Sequence, residues 1–482
     1  MRWSVTLCML EVAVKREVTP RAWNNRGEAV DFTQRPTVAV WQGIPGERAN
    51  VRVVHRGHNR VMTKWLSSQQ PDDSRVKPPC ERYDLCGGCP LMHLDAEGQA
   101  DARWEIVRGQ LDLAGLQDVP VEGLVPSPDG LAEYRTSLRL LIGRSDRGAV
   151  RVGAPGRGTR QPVPIPHCLV VSEELRRLMR TLAGRIIDLD IRPYDEGHGL
   201  LRYAVARQSR ASGEILLTLV AGRKDRILNQ LADELTQRLD KLVGVHLHLN
   251  NDEGNSFFDR DDHGEVRTRN LLGQDFITDR LADVAFRIGP GDFFQTNPAM
   301  ADRLVRDVVA LTDPAPGVPV IDAYSGVGGF ALAVADHTGW ALGIEGLGGA
   351  VRRARESASA QRIPAEFVHD DVKLALLDLP RRLAGRRPVF IVDPARRGLE
   401  EGVVDGIHAL NPERIIMVSC NPAAMARDLA RFRDLGWTIE RVRPYDMFPN
   451  TPHVELVTRL RPPDGGARDP GARGPRRRRV RG

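Results

Sequence analysis

Between residues 318 and 460 short apolar runs alternate with stretches of helical periodicity, and this alternation constrains the fold more than any other feature of the chain. Strands are read at 318–323, 341–345, 366–369, 389–392 and 415–419, and helices at 330–337, 350–360, 372–384 and 423–435. Met300, Leu304, Val308 and Leu311 mark a helix ahead of the first strand. No helix is read between 392 and 415, and none between the last two strands, 437–444 and 453–460, which are expected to form an antiparallel hairpin. Such a repeat buries each strand on both faces. The expected fold class is therefore α/β, with a doubly wound, mostly parallel sheet at the C-terminal end.

The first strand of the repeat enters its helix through Ile321-Asp322-Ala323-Tyr324-Ser325-Gly326-Val327-Gly328-Gly329-Phe330. Glycines there let the backbone approach a ligand at the helix N-terminus. Glu345 ends the second strand about 20 residues on, where an acid accepts ribose hydroxyl groups. The pattern serves a nicotinamide dinucleotide or S-adenosylmethionine, and glycines that serve only the turn are the plain alternative. Asp371 and Asp393 follow the third and fourth strands, at the strand ends where open α/β sheets bind ligands.

Val418-Ser419-Cys420-Asn421-Pro422 puts a thiol at the end of the fifth strand. Asp393-Pro394-Ala395-Arg396-Arg397-Gly398 ends the neighbouring one, and the segment from Asp446 to Glu455, with His453, turns back toward the same edge. A lone cysteine ending a strand is usually a small core hydrophobe. The acidic loops and Asn421-Pro422 argue instead for a nucleophile. A cysteine beside a general base suits methylation of a pyrimidine at carbon 5. Sulfur adds to carbon 6, carbon 5 becomes nucleophilic, and a base removes its proton after methyl transfer. The target base has to be extruded to reach such a site.

Upstream, Cys80-x5-Cys86-x2-Cys89 and the remote Cys168 form a second constellation. Four thiolates suit tetrahedral zinc or a 4Fe-4S cluster, and three clustered ligands plus one remote one are more like the iron–sulfur arrangement. His93 and His167 flank these cysteines and are read as packing or surface residues, and Cys8 as incidental.

Charge is uneven: residues 1–70 and 461–482 each carry a net +6, which leaves −6 on the remainder. Basic ends around an acidic middle fit contacts with a polyanion such as nucleic acid, or a solvated tail and a soluble face. With 41% hydrophobic and 27% charged residues, the chain is neither disordered throughout nor a disulfide scaffold. No stretch approaches the ~20 apolar residues that span a bilayer. The apolar run 3–10 lacks the cleavage pattern of a signal peptide, so a cytoplasmic location is expected.

These motifs, together with Phe293-Phe294-Gln295-Thr296-Asn297 and His453-Val454-Glu455, resemble the RNA uracil-5 methyltransferases that use S-adenosylmethionine. The resemblance is greatest to the iron–sulfur branch acting on 23S ribosomal RNA, and it covers the chain apart from the tail. It implies a TRAM-like β-barrel over 12–68 that binds RNA, a central α+β domain with the cysteine cluster over 70–290, and a Rossmann-like methyltransferase domain over 291–461. A basic disordered tail is expected over 462–482. It further implies Cys420 as nucleophile and Glu455 as base, with Gln295, Tyr324, Gly329, Glu345, Asp371 and Asp393 around the methyl donor and target base. Gly329 falls where some members carry a contacting side chain, and Asp371 where this branch often has Asn. The same resemblance makes Cys80, Cys86, Cys89 and Cys168 ligands of a 4Fe-4S cluster. An RNA substrate, no membrane and a monomer are expected. The alternatives are the same chemistry on transfer RNA, and a non-catalytic iron–sulfur RNA-binding protein. The lack of a Pro-Cys dipeptide at the nucleophile speaks against a cytosine-5 enzyme.

Overall fold

The computed structural model describes residues 15–252, 254, 256–261 and 265–463. Cys8, the apolar run 3–10 and the basic segment after 463 lie outside them. The chain begins with β1 (Lys15–Val18), β2 (Ala22–Trp23), β3 (Ala29–Asp31), β4 (Thr37–Trp41), β5 (Ala49–Arg56) and β6 (Arg60–Ser68). They form one six-stranded sheet in the order β1-β5-β6-β4-β3-β2, antiparallel except for β4 on β6. Val18, Val38, Val40, Ala49, Val51 and Val61 fill its small core.

After α1 (Ala96–Leu113) come β7 (Ser137–Arg144), β8 (Val150–Pro155), β9 (Pro162–Val163), α2 (Glu173–Asp188), β10 (Leu201–Gln208), β11 (Ile215–Ala221), α3 (Ile227–Arg238), β12 (Leu242–Leu249) and β13 (Thr268–Gly273). The seven strands order as β13-β12-β11-β10-β7-β8-β9. The hairpin read at 200–207 and 214–221 is β10 with β11, antiparallel. One face of the sheet, with Leu138, Leu140, Ala204, Ala206 and Leu217, packs on Leu178 and Leu182 of α2 and Leu231 and Leu235 of α3.

The remaining elements are β14 (Ile277–Leu281), β15 (Val284–Ile288), α4 (Pro298–Thr312), β16 (Val320–Ala323), α5 (Gly329–Thr338), β17 (Ala341–Glu345), α6 (Gly348–Gln361), β18 (Ala365–His369), α7 (Val372–Leu383), β19 (Val389–Val392), α8 (Val403–Ala409), β20 (Arg414–Ser419), α9 (Pro422–Asp434), β21 (Thr438–Tyr445) and β22 (Glu455–Arg461). Seven of these strands form the sheet β18-β17-β16-β19-β20-β22-β21, in which only β22 runs antiparallel to its neighbours. The expected final hairpin is β21 with β22. Chain direction reverses its lateral progress between β16 and β19, which opens a crevice beyond their carboxyl ends. The direct passage expected from 392 to 415 is corrected. Parallel β19 and β20 need a crossover, and α8 supplies it, its Val403, Val404 and Ile407 buried against the sheet.

Packing crosses the expected boundaries. Ile277, Phe286 and Ile288 of the β14–β15 hairpin share a core with Met300, Phe330 and Val351, so this hairpin packs with the C-terminal sheet although it precedes residue 291. Val107 and Leu111 of α1 lie in the core on the sheet's other face, with Ile321, Phe390 and Phe432. Among the described residues no helix is long and apolar enough to cross a membrane.

Candidate active site

Asn-Pro pairs start two helices near the crevice. Asn297 accepts the N–H of Met300 ahead of Pro298 in α4, and Asn421 accepts the N–H of Ala423 ahead of Pro422 in α9. Proline costs nothing in a first turn, whose N–H groups have no helical partner. Asn421 therefore ends β20 and turns the chain at Cys420. Its Nδ2 also donates to the carbonyl of Arg396 at 2.7 Å, which ties the β20 turn to the loop after β19.

The β20–β22 register sets the central geometry. Ser419 opposite Leu456 is the last pair of that ladder, so Cys420, which follows Ser419, and Glu455, which precedes Leu456, lie at the same end of the sheet. Asp393 ends the adjacent strand, its N–H 3.4 Å from the carbonyl of Ala323. Burial, then Glu455 and Asp393, push the Cys420 thiol up to about 11, with Arg396 opposing. Burial, reinforced by Asp393, raises Glu455 well above the usual carboxyl range, and Arg396 opposes it too. Burial lifts Asp393 to about 7. These mutual influences put one thiol, two carboxyls and a guanidinium in one crevice, with Cys420 a neutral thiol at neutral pH. His453 stands on the exposed rim, its proton affinity lowered by burial, Arg396 and Arg135.

The glycine loop forms the second wall. Glu345 accepts the N–H of Gly326 at 2.9 Å and of Leu347 at 2.8 Å, clamping the loop to the end of β17. Tyr324 adopts φ 68°, a left-handed conformation that costs a bulky residue of order 1–3 kcal/mol and tends to persist at ligand sites. Its hydroxyl is buried without a partner, as is Ser325 Oγ. A Cβ on Gly328 would come within 2.8 Å of the Phe367 ring, whereas one on Gly329 would meet open space. Asp371 is exposed, and its Oδ1 caps α7 by accepting the N–H groups of Lys373 and Leu374. Glu400 and Asp371 act on Tyr324 electrostatically, so these residues are neighbours. Gln295 is half-buried, next to Thr296, whose carbonyl accepts the N–H of Thr136.

Two residues in these motifs received no role from the sequence reading. Arg396 is the cation that opposes the carboxyls. Asp322 is fully buried; its Oδ2 accepts the N–H of Ala331 at 2.8 Å in the first turn of α5, and its Oδ1 has no partner. Burial, Asp393 and Glu345 raise its proton affinity strongly. Its position before the glycine loop was the signal available for finding it. Asp322, Glu345, Asp393 and Glu455 together make the crevice acidic, which favours a cationic ligand over a pyrophosphate.

Cys80, Cys86, Cys89 and Cys168 line one cavity of about 210 Å³ between segments 79–92 and 165–170. Among the described residues no group of three or more His, Cys, Asp or Glu side chains is drawn close enough to hold a single metal ion. His93 is a packed residue, its ring between the Tyr83 hydroxyl at 2.8 Å and the Gly43 carbonyl at 3.2 Å, while His167 lies exposed at the cavity wall. The cavity segment touches the active-site frame. Leu91 N–H donates to the carbonyl of Asn450, Gln99 bonds Asn450, Arg103 Nε donates to the carbonyl of Thr451 at 2.9 Å, and Tyr134 reaches the carbonyl of Pro449. These contacts fix the loop that leads to Glu455.

Residues 384–461 match the family model of tRNA (uracil-5-)-methyltransferases. An uncharacterized RNA methyltransferase of Gloeobacter violaceus is 33% identical over 434 residues, covering 89% of this chain and 92% of the relative. Another, from Streptococcus pyogenes serotype M1, is 32% identical over 432 residues, covering 87% and 90%. The crystal structure of the Pyrococcus abyssi tRNA (uracil-54, C5)-methyltransferase in complex with S-adenosyl-L-homocysteine is similar, with a TM-score of 0.73 and 28% identity over 92% of this chain and 99% of that one.

Proposed function

The chain belongs to the RNA uracil-5 methyltransferases, and on that premise we propose that it transfers a methyl group from S-adenosylmethionine to carbon 5 of a uridine in RNA through a covalent Cys420 adduct. The observation that supports the reading is that Cys420 and Glu455 lie at the same end of the β20–β22 ladder, with Asp393 just past the end of the next strand. An acidic crevice with partnerless polar atoms on Tyr324, Ser325 and Asp322 suits a sulfonium donor bearing an amino group and ribose hydroxyls. In this reading Glu345 accepts the ribose hydroxyls, Asp371 the adenine amino group through its uncommitted oxygen, and the Gly329 backbone lies against the donor. Gln295 and Asp393 hold the edge of the extruded base.

The chemistry follows from the protonation states. Cys420 sulfur bonds carbon 6 while its proton passes, through Asp393, to O4 of the uracil; the electron pair of the 5,6 double bond moves toward carbon 5. Bound donor supplies an electrophilic methyl group, and carbon 5 takes it as the methyl–sulfur bond breaks. Glu455 then accepts the carbon 5 proton, the carbon 6–sulfur bond breaks, and the proton on O4 returns to sulfur. A carboxyl whose proton affinity is raised by burial is the stronger base once ionised. The proton left on Glu455 goes to solvent, and no step needs an oxidant.

The four cysteines fit a 4Fe-4S cluster. Their thiols line a shared cavity without meeting at one point, and such a cluster gives each thiolate its own iron. The cluster would staple the 79–92 and 165–170 segments behind the loop that carries Glu455. Ribosomal RNA is the substrate implied by the resemblance to the iron–sulfur branch. Transfer RNA is the second reading, favoured by the similarity to the Pyrococcus abyssi enzyme.

The test is methyl transfer from labelled S-adenosylmethionine into unmodified 23S ribosomal and transfer RNA transcripts. The wild type is expected to form 5-methyluridine, and Cys420→Ala none. RNA carrying 5-fluorouridine is expected to trap the wild type covalently, because fluorine cannot leave as a proton. RNA binding without adduct or methyl transfer would favour the non-catalytic alternative.

A further inference from the structure

The central sheet has a polar face, and it holds a buried cation that nothing in the proposed reaction uses. In the β7–β10 ladder Arg139 lies opposite Val205, and Arg207 opposite Ser137. Opposed residues and alternate residues share a face, so both guanidinium groups project from the same side of the sheet. The intervening Leu138 and Ala206 face α2 and α3. Arg207 is only 8% exposed, its Nε has no partner, and among the described residues its guanidinium makes no hydrogen bond or ion pair. An unpaired buried charge is costly, and an anion that pairs with it relieves that cost. Burial, with repulsion from Arg139 and Arg260, pulls Arg207 down to about 10. The carboxylate that acts on it, Asp292, is already committed to Arg353 and to the N–H of Gly289.

The location gives the cation a purpose. Gln208, at the end of β10, donates its N–H to the carbonyl of Thr136, and Thr136 donates its own to the carbonyl of Thr296. The strand ends that carry the arginine pair are thus bonded to the segment that carries Gln295. Arg139 is the exposed member, its guanidinium 5.5 Å from the centre of the Phe257 ring, which in turn lies 4.5 Å from Tyr203. A buried planar fork of donors, an exposed one on the same sheet face and aromatic rings beside it match a phosphodiester with its flanking bases.

We propose that Arg207 and Arg139 form a phosphate-binding site for the RNA strand that carries the target uridine. The proposal rests on the RNA methyltransferase reading but has its own readout. Each phosphate contact to a single strand contributes about 0.7 to the slope of log affinity against log salt. Binding of single-stranded oligouridylate would be measured across a salt series for the wild type, Arg207→Gln and Arg139→Gln. Each variant is expected to show a shallower slope, by about 0.7, with S-adenosylmethionine affinity unchanged. Inorganic phosphate should weaken RNA binding by the wild type more than by the double variant. Arg207→Gln should melt no lower than the wild type, since it removes an unpaired buried charge. Unchanged slopes in both variants, or a loss confined to S-adenosylmethionine binding, overturn the proposal. A wild type that forms no 5-methyluridine while the variant slopes fall as expected would sink the catalytic reading and leave the phosphate site standing.

Discussion

Replacing Glu455 by Gln tests the Cys420–Glu455 pairing without needing the RNA substrate. Cys420 titrates near 11 against an ordinary 9.0, with burial the largest cause and the Glu455 charge the next. At the alkaline pH where the thiol ionises, Glu455 is a carboxylate and opposes the thiolate. Gln removes that charge and leaves the burial. The thiol midpoint should therefore fall, but stay above its ordinary value. Each pH unit by which the midpoint falls should speed alkylation below it by up to about tenfold. The assay is the rate of iodoacetamide modification of Cys420 across pH 8 to 11, read by intact mass, with Cys420→Ala marking the background from the cluster cysteines. Asp393→Asn should act in the same direction and more weakly, since it follows Glu455 among the causes. A midpoint that does not move, or that rises in Glu455→Gln, would show that the carboxylate does not face the sulfur, and the proposed chemistry would fail with it.

Three other outcomes follow from named contacts. Asp322 holds its proton more tightly in the folded chain, so its contribution is most favourable in acid and is lost as pH rises above the unfolded carboxyl value. Asp322→Asn, which can still accept the Ala331 N–H, should raise the melting temperature at neutral pH, with the gain shrinking toward pH 4; a gain independent of pH would refute the titration argument. Arg103 reaches Asp446 at 3.3 Å and both are buried, so Arg103→Met should cost about 3–5 kcal/mol in denaturant unfolding by stranding the carboxylate, and Asp446→Asn added to it should recover part of the loss. Gly328 has φ 90°, and a Cβ there meets the Phe367 ring at 2.8 Å, so Gly328→Ala should lower stability by about 1–3 kcal/mol and weaken S-adenosylmethionine binding, measured by calorimetry, whereas Gly329→Ala has room.

The cysteine segment and the catalytic loop are one mechanical unit. Leu91, Gln99, Arg103 and Tyr134 come from the region upstream of the central sheet, yet all grip residues 449–451, just ahead of Glu455. In the proposed reading that arrangement would give the four-cysteine cavity a use that needs no electron transfer: rigidity behind Glu455.

Much of this protein was legible in one dimension, where the physics is local. Period-two and period-3.6 patterning gave the strand–helix repeat, because a strand buried on both faces and a helix buried on one leave different apolar spacings. The glycine loop, the strand-terminal acids and Cys420 could be read because turn chemistry and strand ends are local properties. The helix α8 was missed because its apolar side chains, Val403, Val404 and Ile407, span too short a run to show a period. Tertiary structure alone decided the rest. β22 inserts antiparallel between β20 and β21, and only that insertion brings Glu455 to the strand end that carries Cys420. The proton affinities of Asp322, Asp393 and Glu455 depend on burial, which no spacing encodes. Arg207 reads in sequence as one more surface arginine; it takes the β7–β10 register and the cover over that face to make it a buried charge without a partner.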